Sequence, residues 1–265
     1  MKEIKHYGEG DTRCSYSGVG LEEAELKNKI ASEVKTKIYD KKGTEELLQS
    51  LDGITKTGFQ KEKLVNILKL DQDVQDWRIG EALAECYLEE NKSCRFYYEY
   101  IRDAKNPNAS LNGADLVGFV KLDGNYILLF GEIKTSSHDL SPPSVLNGRS
   151  GLIKQLEDLK NKEEIRNNLI RWLGMKTINL PDNSEFKERY RNAVSIYISE
   201  EKGKIKTKLI GVLVRDTSPN SLDLSNRFRT LVKDLENTIN IELIALYLPV
   251  KVDSLKNILS GKIGT

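Results

Sequence analysis

Residues 114–136 read ADLVGFVKLDGNYILLFGEIKTS. Two runs rich in Val, Leu, Ile and Phe flank Asp123-Gly124, and Asp-Gly between apolar runs is a strong signal for a two-residue hairpin loop. With Asp123 and Gly124 as that loop, Leu122 faces Asn125, and counting outward sets Asp115 opposite Glu132. Directly opposed side chains of an antiparallel pair share a face, their Cβ atoms about 4.5–5.5 Å apart. Alternation then places Lys134 on the face of Glu132 and turns Ile133 to the other. The hairpin thus collects two carboxylates and an ammonium at one end of an apolar sheet, where isolated charges are costly. A one-residue slip, or a bulge at Gly124, would separate Asp115 from Glu132.

Spacing alone carries little weight, because Glu-x-Lys recurs at Glu3, Glu25, Glu33, Glu185 and Glu200. A surface hairpin whose Glu132 and Lys134 pair across solvent satisfies the same pattern. The context differs at Glu132: it closes the run Tyr126-Ile127-Leu128-Leu129-Phe130-Gly131, and strands this apolar are normally covered on both faces.

Asp115, then Glu132-Ile133-Lys134 closing the next strand, with the helical stretch Gly80-Glu81-Ala82-Leu83-Ala84-Glu85 before them and Leu152-Ile153-Lys154-Gln155-Leu156 after, resembles the PD-(D/E)xK nuclease superfamily. The resemblance covers about residues 77–159, and Gly113-Ala114-Asp115 stands where the family has Pro-Asp. The order of parts also looks like the nuclease subunits of bacterial anti-phage systems, the Hachiman type included. The resemblance implies catalysis by Asp115, Glu132 and Lys134. It implies that Gln155 points back to orient the scissile phosphate or the lysine, and that a helical acid, Glu81 with Glu85 as runner-up, joins Asp115 and Glu132 at a metal. Taken without the resemblance, Glu81 and Glu85 are solvated residues of one helix stripe, and Gln155 is an ordinary helix residue.

The rest of the chain bounds this reading. Lys and Arg number 41 against 40 Asp and Glu, a net charge of +1. A protein that holds DNA alone usually shows a basic excess, so near-neutrality points to local patches, to metal neutralising the acids, or to a partner subunit; the resemblance to defence-system nucleases implies one such as a helicase or ATPase subunit. Cys14, Cys86 and Cys94 are odd in number and lack CxxC spacing, which suggests neither a disulfide framework nor a zinc site. No signal core and no apolar run of about 20 residues occurs; the expectation is a cytoplasmic protein with no membrane association. No phosphate-cradling GxxxxGK[ST] is present.

Along the chain, residues 1–19 read as an irregular glycine-bearing arm. Leu21, Leu26, Ile30, Val34 and Ile38 recur at helical spacing, Thr44 offers an N-cap for a second helix, and 61–70 form a third. Residues 1–70 are thus expected to be a helical N-terminal region, a place for partner docking or simply a cover for the sheet, and 71–265 the nuclease-like domain. Residues 73–91 read as a helix with Trp77, Leu83, Ala84 and Tyr87 buried, and 95–100 as an aromatic strand. Asn106-Pro107-Asn108 reads as a loop, with Arg95 and Arg102 beside aromatics that suit sheet core or base stacking. Past Lys134, the loop carrying Ser136, Ser137, His138 and Pro142-Pro143 leaves the active edge, where substrate contacts tend to sit. Helical 163–172 and a loop at Leu180-Pro181-Asp182 precede the apolar run 193–198. Strand 209–214, helix 222–237 and strand 241–248 suggest a parallel βαβ crossover. The expected fold is α/β, a restriction-endonuclease-like mixed sheet flanked by helices.

The chemistry follows from the charges. Phosphodiester cleavage needs a nucleophilic water and neutralisation of charge at the phosphate and the leaving oxygen, and Mg²⁺, with Mn²⁺ as substitute, suits one or two carboxylates plus waters. Lys134 beside them would orient or help deprotonate the water, or stabilise the phosphorane. The expectation is a Mg²⁺-dependent endonuclease acting on DNA, with RNA left open, in a bacterial defence or restriction system. Two alternatives remain: a noncatalytic nucleic-acid-binding or assembly subunit retaining the fold, and a nucleotide-processing phosphohydrolase.

Overall fold

The Asp123-Gly124 turn forms as expected and fixes the centre of a seven-stranded sheet. In the computed structural model, which describes residues 1–54, 57–68, 74–98, 113–201 and 203–261, strand β4 (Leu116–Leu122) pairs antiparallel with β5 (Asn125–Ser136), Leu122 opposite Asn125 and Leu116 opposite Gly131. Both loop residues take positive φ, 48° at Asp123 and 83° at Gly124, the left-handed pair that a type I′ turn requires. Strand order is β1-β2-β7-β6-β5-β4-β3, with β1 Glu3–Gly10, β2 Cys14–Leu21, β3 Cys94–Phe96, β6 Thr207–Arg215 and β7 Ile239–Tyr247. The neighbours β2, β7, β6 and β5 run parallel, while β1, β4 and β3 attach antiparallel at the two sides. The expected mixed α/β sheet is present, and β6 and β7 are the expected parallel neighbours.

Helices cover both faces, and the central strands β5, β6 and β7 are buried on both over most of their length. One layer holds α1 (Glu23–Lys29), which continues through a π turn into α2 (Lys35–Tyr39), together with α5 (Asp76–Asn91) and α10 (Leu255–Ser260). Leu26, Ile30, Val34 and Ile38 are its buried stripe, the spacing visible in the sequence. The opposite layer holds α6 (Leu152–Asn161), α7 (Glu163–Thr177), α8 (Glu185–Ile198) and α9 (Ser225–Leu231). Between α2 and α5 lie α3 (Lys41–Ser50) and α4 (Gly58–Leu68).

Several expectations need correction. Residues 1–19 are no irregular arm: they form the β1-β2 hairpin and belong to the central sheet, so the helices of the expected 1–70 region begin only at Glu23. Glycines hid this hairpin. A Cβ at Gly18 or Gly20 would collide with the Tyr7 or His6 ring, which cross β2 at those positions. Thr44 is not the cap of α3; Asp40 is, in a left-handed conformation, its carboxylate accepting the amide of Gly43 at 3.1 Å. The stretch 222–237 is no continuous helix, because α9 ends at Leu231 and Asp234 takes a φ of 55° that a helix cannot continue through. The apolar run 193–198 is the end of α8, with Ala193 and Ile196 buried. The expected strand over 95–100 is described only as β3, so Glu99, Tyr100, Arg102 and the loop Asn106-Pro107-Asn108 lie outside the described residues, as do Leu70 and Asp73 at the expected helix bounds.

Candidate active site

Register brings the two acids together. Asp115 directly precedes β4, and its Oδ2 accepts the backbone amide of Ile133 at 2.9 Å, which locks the carboxylate onto β5 between Glu132 and Lys134. The Lys134 ammonium donates to Glu132 Oε2 at 3.1 Å and to Asp115 Oδ2 at 3.4 Å. Glu132 is 2% exposed, so the surface-hairpin alternative does not describe it. In the parallel ladder Glu132 sits beside Gly211, Lys134 beside Leu213 and Ser136 beside Arg215. Glu132 thus sits at the middle of the β5-β6 ladder, with Lys134 farther toward its carboxyl end.

The electrostatics are those of an acid pair short of compensating charge. Burial, the negative charge of Asp115 and a hydrogen bond with that carboxyl push the Glu132 pKa up, against the pull of Lys134. Burial alone would lower Lys134, but Asp115 and Glu132 outweigh it and hold the ammonium protonated. Two carboxylates at hydrogen-bonding distance cannot both ionise freely without further positive charge.

The helical acids were expected to be solvated unless the resemblance held; both are buried. Helix α5 is covered on every side from Arg78 to Leu88. Glu81 accepts from Arg78 Nη1 at 3.2 Å, and Glu85 lies 3.6 Å from Arg78 Nη1 and 3.4 Å from Lys37 Nζ. Burial and the charge of Asp115 raise the Glu81 pKa despite Arg78, so Glu81 senses Asp115 from the α5 layer. Close approach of α5 to β5 depends on Gly80, where a Cβ would run into Thr135 Oγ1. Among the described residues no three His, Cys, Asp or Glu side chains are grouped to hold a metal ion, so Glu81 stands behind the Asp115-Glu132 pair without completing a ligand triad.

Gln155 lies on α6, which Leu152 and Leu156 seat over Gly211, the β6 neighbour of Glu132. Its Oε1 is buried with no hydrogen-bond partner, and no hydrogen bond ties it to the triad. Sequence reasoning missed Tyr98, whose hydroxyl donates to the Asp115 carbonyl at 2.9 Å. It also missed Arg78, whose position three residues before Glu81 was an available signal. Cys86 and Cys94 are buried free thiols, and Cys14 is a half-buried one.

The HamA family model matches residues 11–260, nearly the whole chain and all of the strands and helices around the triad. The chain belongs to the HamA family. HamA is a family of the Hachiman defence system, which makes this chain a bacterial anti-phage defence subunit and implies a complex with other proteins of that system. No curated protein matches this chain. Among its described residues no helix is long and apolar enough to cross a membrane.

Proposed function

We propose that this HamA-family chain is a metal-dependent nuclease of the PD-(D/E)xK kind, hydrolysing phosphodiester bonds in DNA as an effector of its defence system. The observation that carries the reading is Lys134 Nζ lying 3.1 Å from Glu132 and 3.4 Å from Asp115. Hard carboxylate oxygens this close, one of them with a raised pKa, fit a divalent cation that takes one or two carboxylates and keeps its waters. Asp115 and Glu132 would hold Mg²⁺ or Mn²⁺, which when bound neutralises phosphate charge and acidifies water.

The side chains divide the remaining work. The Ile133 amide and the Tyr98 hydroxyl fix Asp115 through its carboxylate and its carbonyl. Lys134, held protonated by the acids, supplies a hydrogen-bond donor and positive charge where the phosphorane develops. Glu81, hydrogen-bonded by Arg78 and with its pKa pushed up to about 8, is a reserve acid behind Asp115 that a bound cation would help to ionise. Gln155 brings an unsatisfied buried amide oxygen that suits a water or a donor arriving with substrate.

Incubation of the purified chain, alone and with its defence-system partner, with supercoiled plasmid and linear DNA tests the reading. Cleavage with Mg²⁺ or Mn²⁺ that EDTA abolishes is expected. DNA binding without cleavage in every condition would instead identify a noncatalytic subunit, and turnover of mononucleotides without polymer cleavage a phosphohydrolase.

A further inference from the structure

Arg215 closes β6 beside Ser136 and is fully buried, as is its counter-ion Asp223, 3.4 Å away. Its guanidinium reaches out of the sheet to the loop that follows the candidate catalytic strand. Nη2 donates to the His138 carbonyl at 2.8 Å, Nη1 to the Leu140 carbonyl at 3.3 Å, and Nε to Thr217 Oγ1 at 2.9 Å. The next residue, Asp216, takes the Ser137 hydroxyl at 3.0 Å and the Val252 amide at 2.9 Å. Asp223 is fixed in turn by Tyr247, whose hydroxyl donates to it at 2.6 Å and lies 2.8 Å from that of Tyr7.

The loop backbone is therefore gripped from below while the side chains of Ser137, His138, Asp139 and Leu140 stay exposed. Nothing in the hydrophobic core needs this. A loop with four exposed side chains in a row contributes little burial, and a desolvated ion pair is a weak stabiliser compared with apolar packing. What the arrangement does supply is a fixed backbone just past Lys134, through a planar fork that spans the His138 and Leu140 carbonyls as an ammonium cannot.

We propose that Arg215 is a positioning residue: it clamps residues 138–140 beside the Glu132-Lys134 strand end, so that the Ser137 and His138 side chains meet the polynucleotide next to the scissile phosphate. The location of the scissile phosphate rests on the nuclease reading above; the clamp and the strand contact do not.

The test compares the wild-type chain with Arg215→Lys and His138→Ala in three measurements: hydrogen exchange of residues 137–141, affinity for a short fluorescein-labelled DNA duplex in EDTA, and the KM and kcat of cleavage with Mg²⁺. Arg215→Lys keeps the charge opposite Asp223 and loses the fork. Loop exchange should then rise and duplex affinity fall by about tenfold each, the scale of a lost charge-assisted hydrogen bond. KM should rise with kcat within about twofold, the mark of lost uniform binding. His138→Ala, on the surface, should leave melting temperature and loop exchange unchanged and weaken duplex binding about fivefold.

Unchanged loop exchange in a folded Arg215→Lys overturns the clamp. Faster exchange with wild-type duplex affinity, wild-type affinity in His138→Ala, or a wild-type chain that binds no duplex overturns the loop's role. Should Arg215→Lys fail to fold, His138→Ala and Ser137→Ala decide by affinity alone. Predicted binding changes with no cleavage by any protein would sink the nuclease reading and leave the loop assignment standing.

Discussion

Asp115 Oδ2 accepts the backbone amide of Ile133, the residue between Glu132 and Lys134, at 2.9 Å. One hydrogen bond thus ties an acid that precedes β4 to the strand that carries the other two members of the triad. The Asp115 carboxylate is thereby held by a backbone donor of the strand that carries Glu132 and Lys134, the kind of preorganisation that electrostatic catalysis relies on.

That pairing makes stability sensitive to pH and to divalent ions. The Glu132 pKa is raised, chiefly by burial and by Asp115, so between the ordinary carboxylate value and the folded one the native state binds more protons than the unfolded state. Stability then falls as pH rises through that window. In EDTA the melting temperature of the wild type should drop from pH 5 toward pH 8 more steeply than that of Glu132→Gln. Mg²⁺ should raise it most at the upper end, and little in the variant. Differential scanning calorimetry across pH, with and without Mg²⁺, gives the comparison, and parallel pH profiles would remove the coupled acids from the account.

Lys134→Ala should abolish cleavage and leave the fold intact. Its ammonium is partly exposed and the acids it leaves behind can take up a proton, so the loss of stability should stay near 1 kcal/mol rather than the larger penalty of a fully buried broken pair. Chemical denaturation beside a plasmid assay separates the two effects. Lys134→Arg should not restore activity, since a planar fork does not replace a compact ammonium.

Gly80→Ala probes the seat of α5 on β5. The added Cβ meets Thr135 Oγ1, and overpacking of this kind costs about 1–3 kcal/mol. The double variant Gly80→Ala with Thr135→Ala should recover most of the loss, and additive losses in the denaturation midpoints would show that Thr135 is not the obstacle.

Away from the site, Glu242 receives Lys208 at 2.6 Å and Lys92 at 2.9 Å. Burial alone would raise its pKa, but the two ammonium groups more than offset that and hold it low. A depressed carboxylate contributes stability above its ordinary pKa and loses it as pH falls through the folded value. Glu242→Gln should therefore cost about 1–3 kcal/mol at neutral pH, with the partly exposed Lys92 moderating the penalty. The difference from wild type should vanish in acid; a constant difference across pH would mean that the charge contributes nothing.

The central hairpin was readable because two signals agreed, Asp-Gly chemistry at the turn and a continuous apolar run on each side. Together they specified the pairing of Leu122 with Asn125 and hence the approach of Asp115 to the Glu132-Lys134 stretch. Leu26, Ile30, Val34 and Ile38 were readable for a similar reason, a single helical period amid charge. The β1-β2 hairpin was not, because Gly18 and Gly20 serve the rings of Tyr7 and His6 that lie across them, a tertiary demand that looks like loop composition in one dimension. The burial of Glu81 and Glu85 was harder to read: Arg78 precedes them on the same helix, but Lys37, the other cation beside Glu85, comes from α2. Arg215 gave no signal at all: its partners, the carbonyls of His138 and Leu140, lie more than seventy residues upstream.

The most direct test of the account is nicking of supercoiled plasmid by the chain with its defence-system partner, in Mg²⁺ and in EDTA, comparing wild type with Glu132→Gln and Lys134→Ala of verified fold. Metal-dependent nicking by the wild type, lost in both variants, is the predicted result. Undiminished nicking in either variant would contradict the assignment of the triad, and the absence of nicking by every protein in the assembled complex would contradict the nuclease itself.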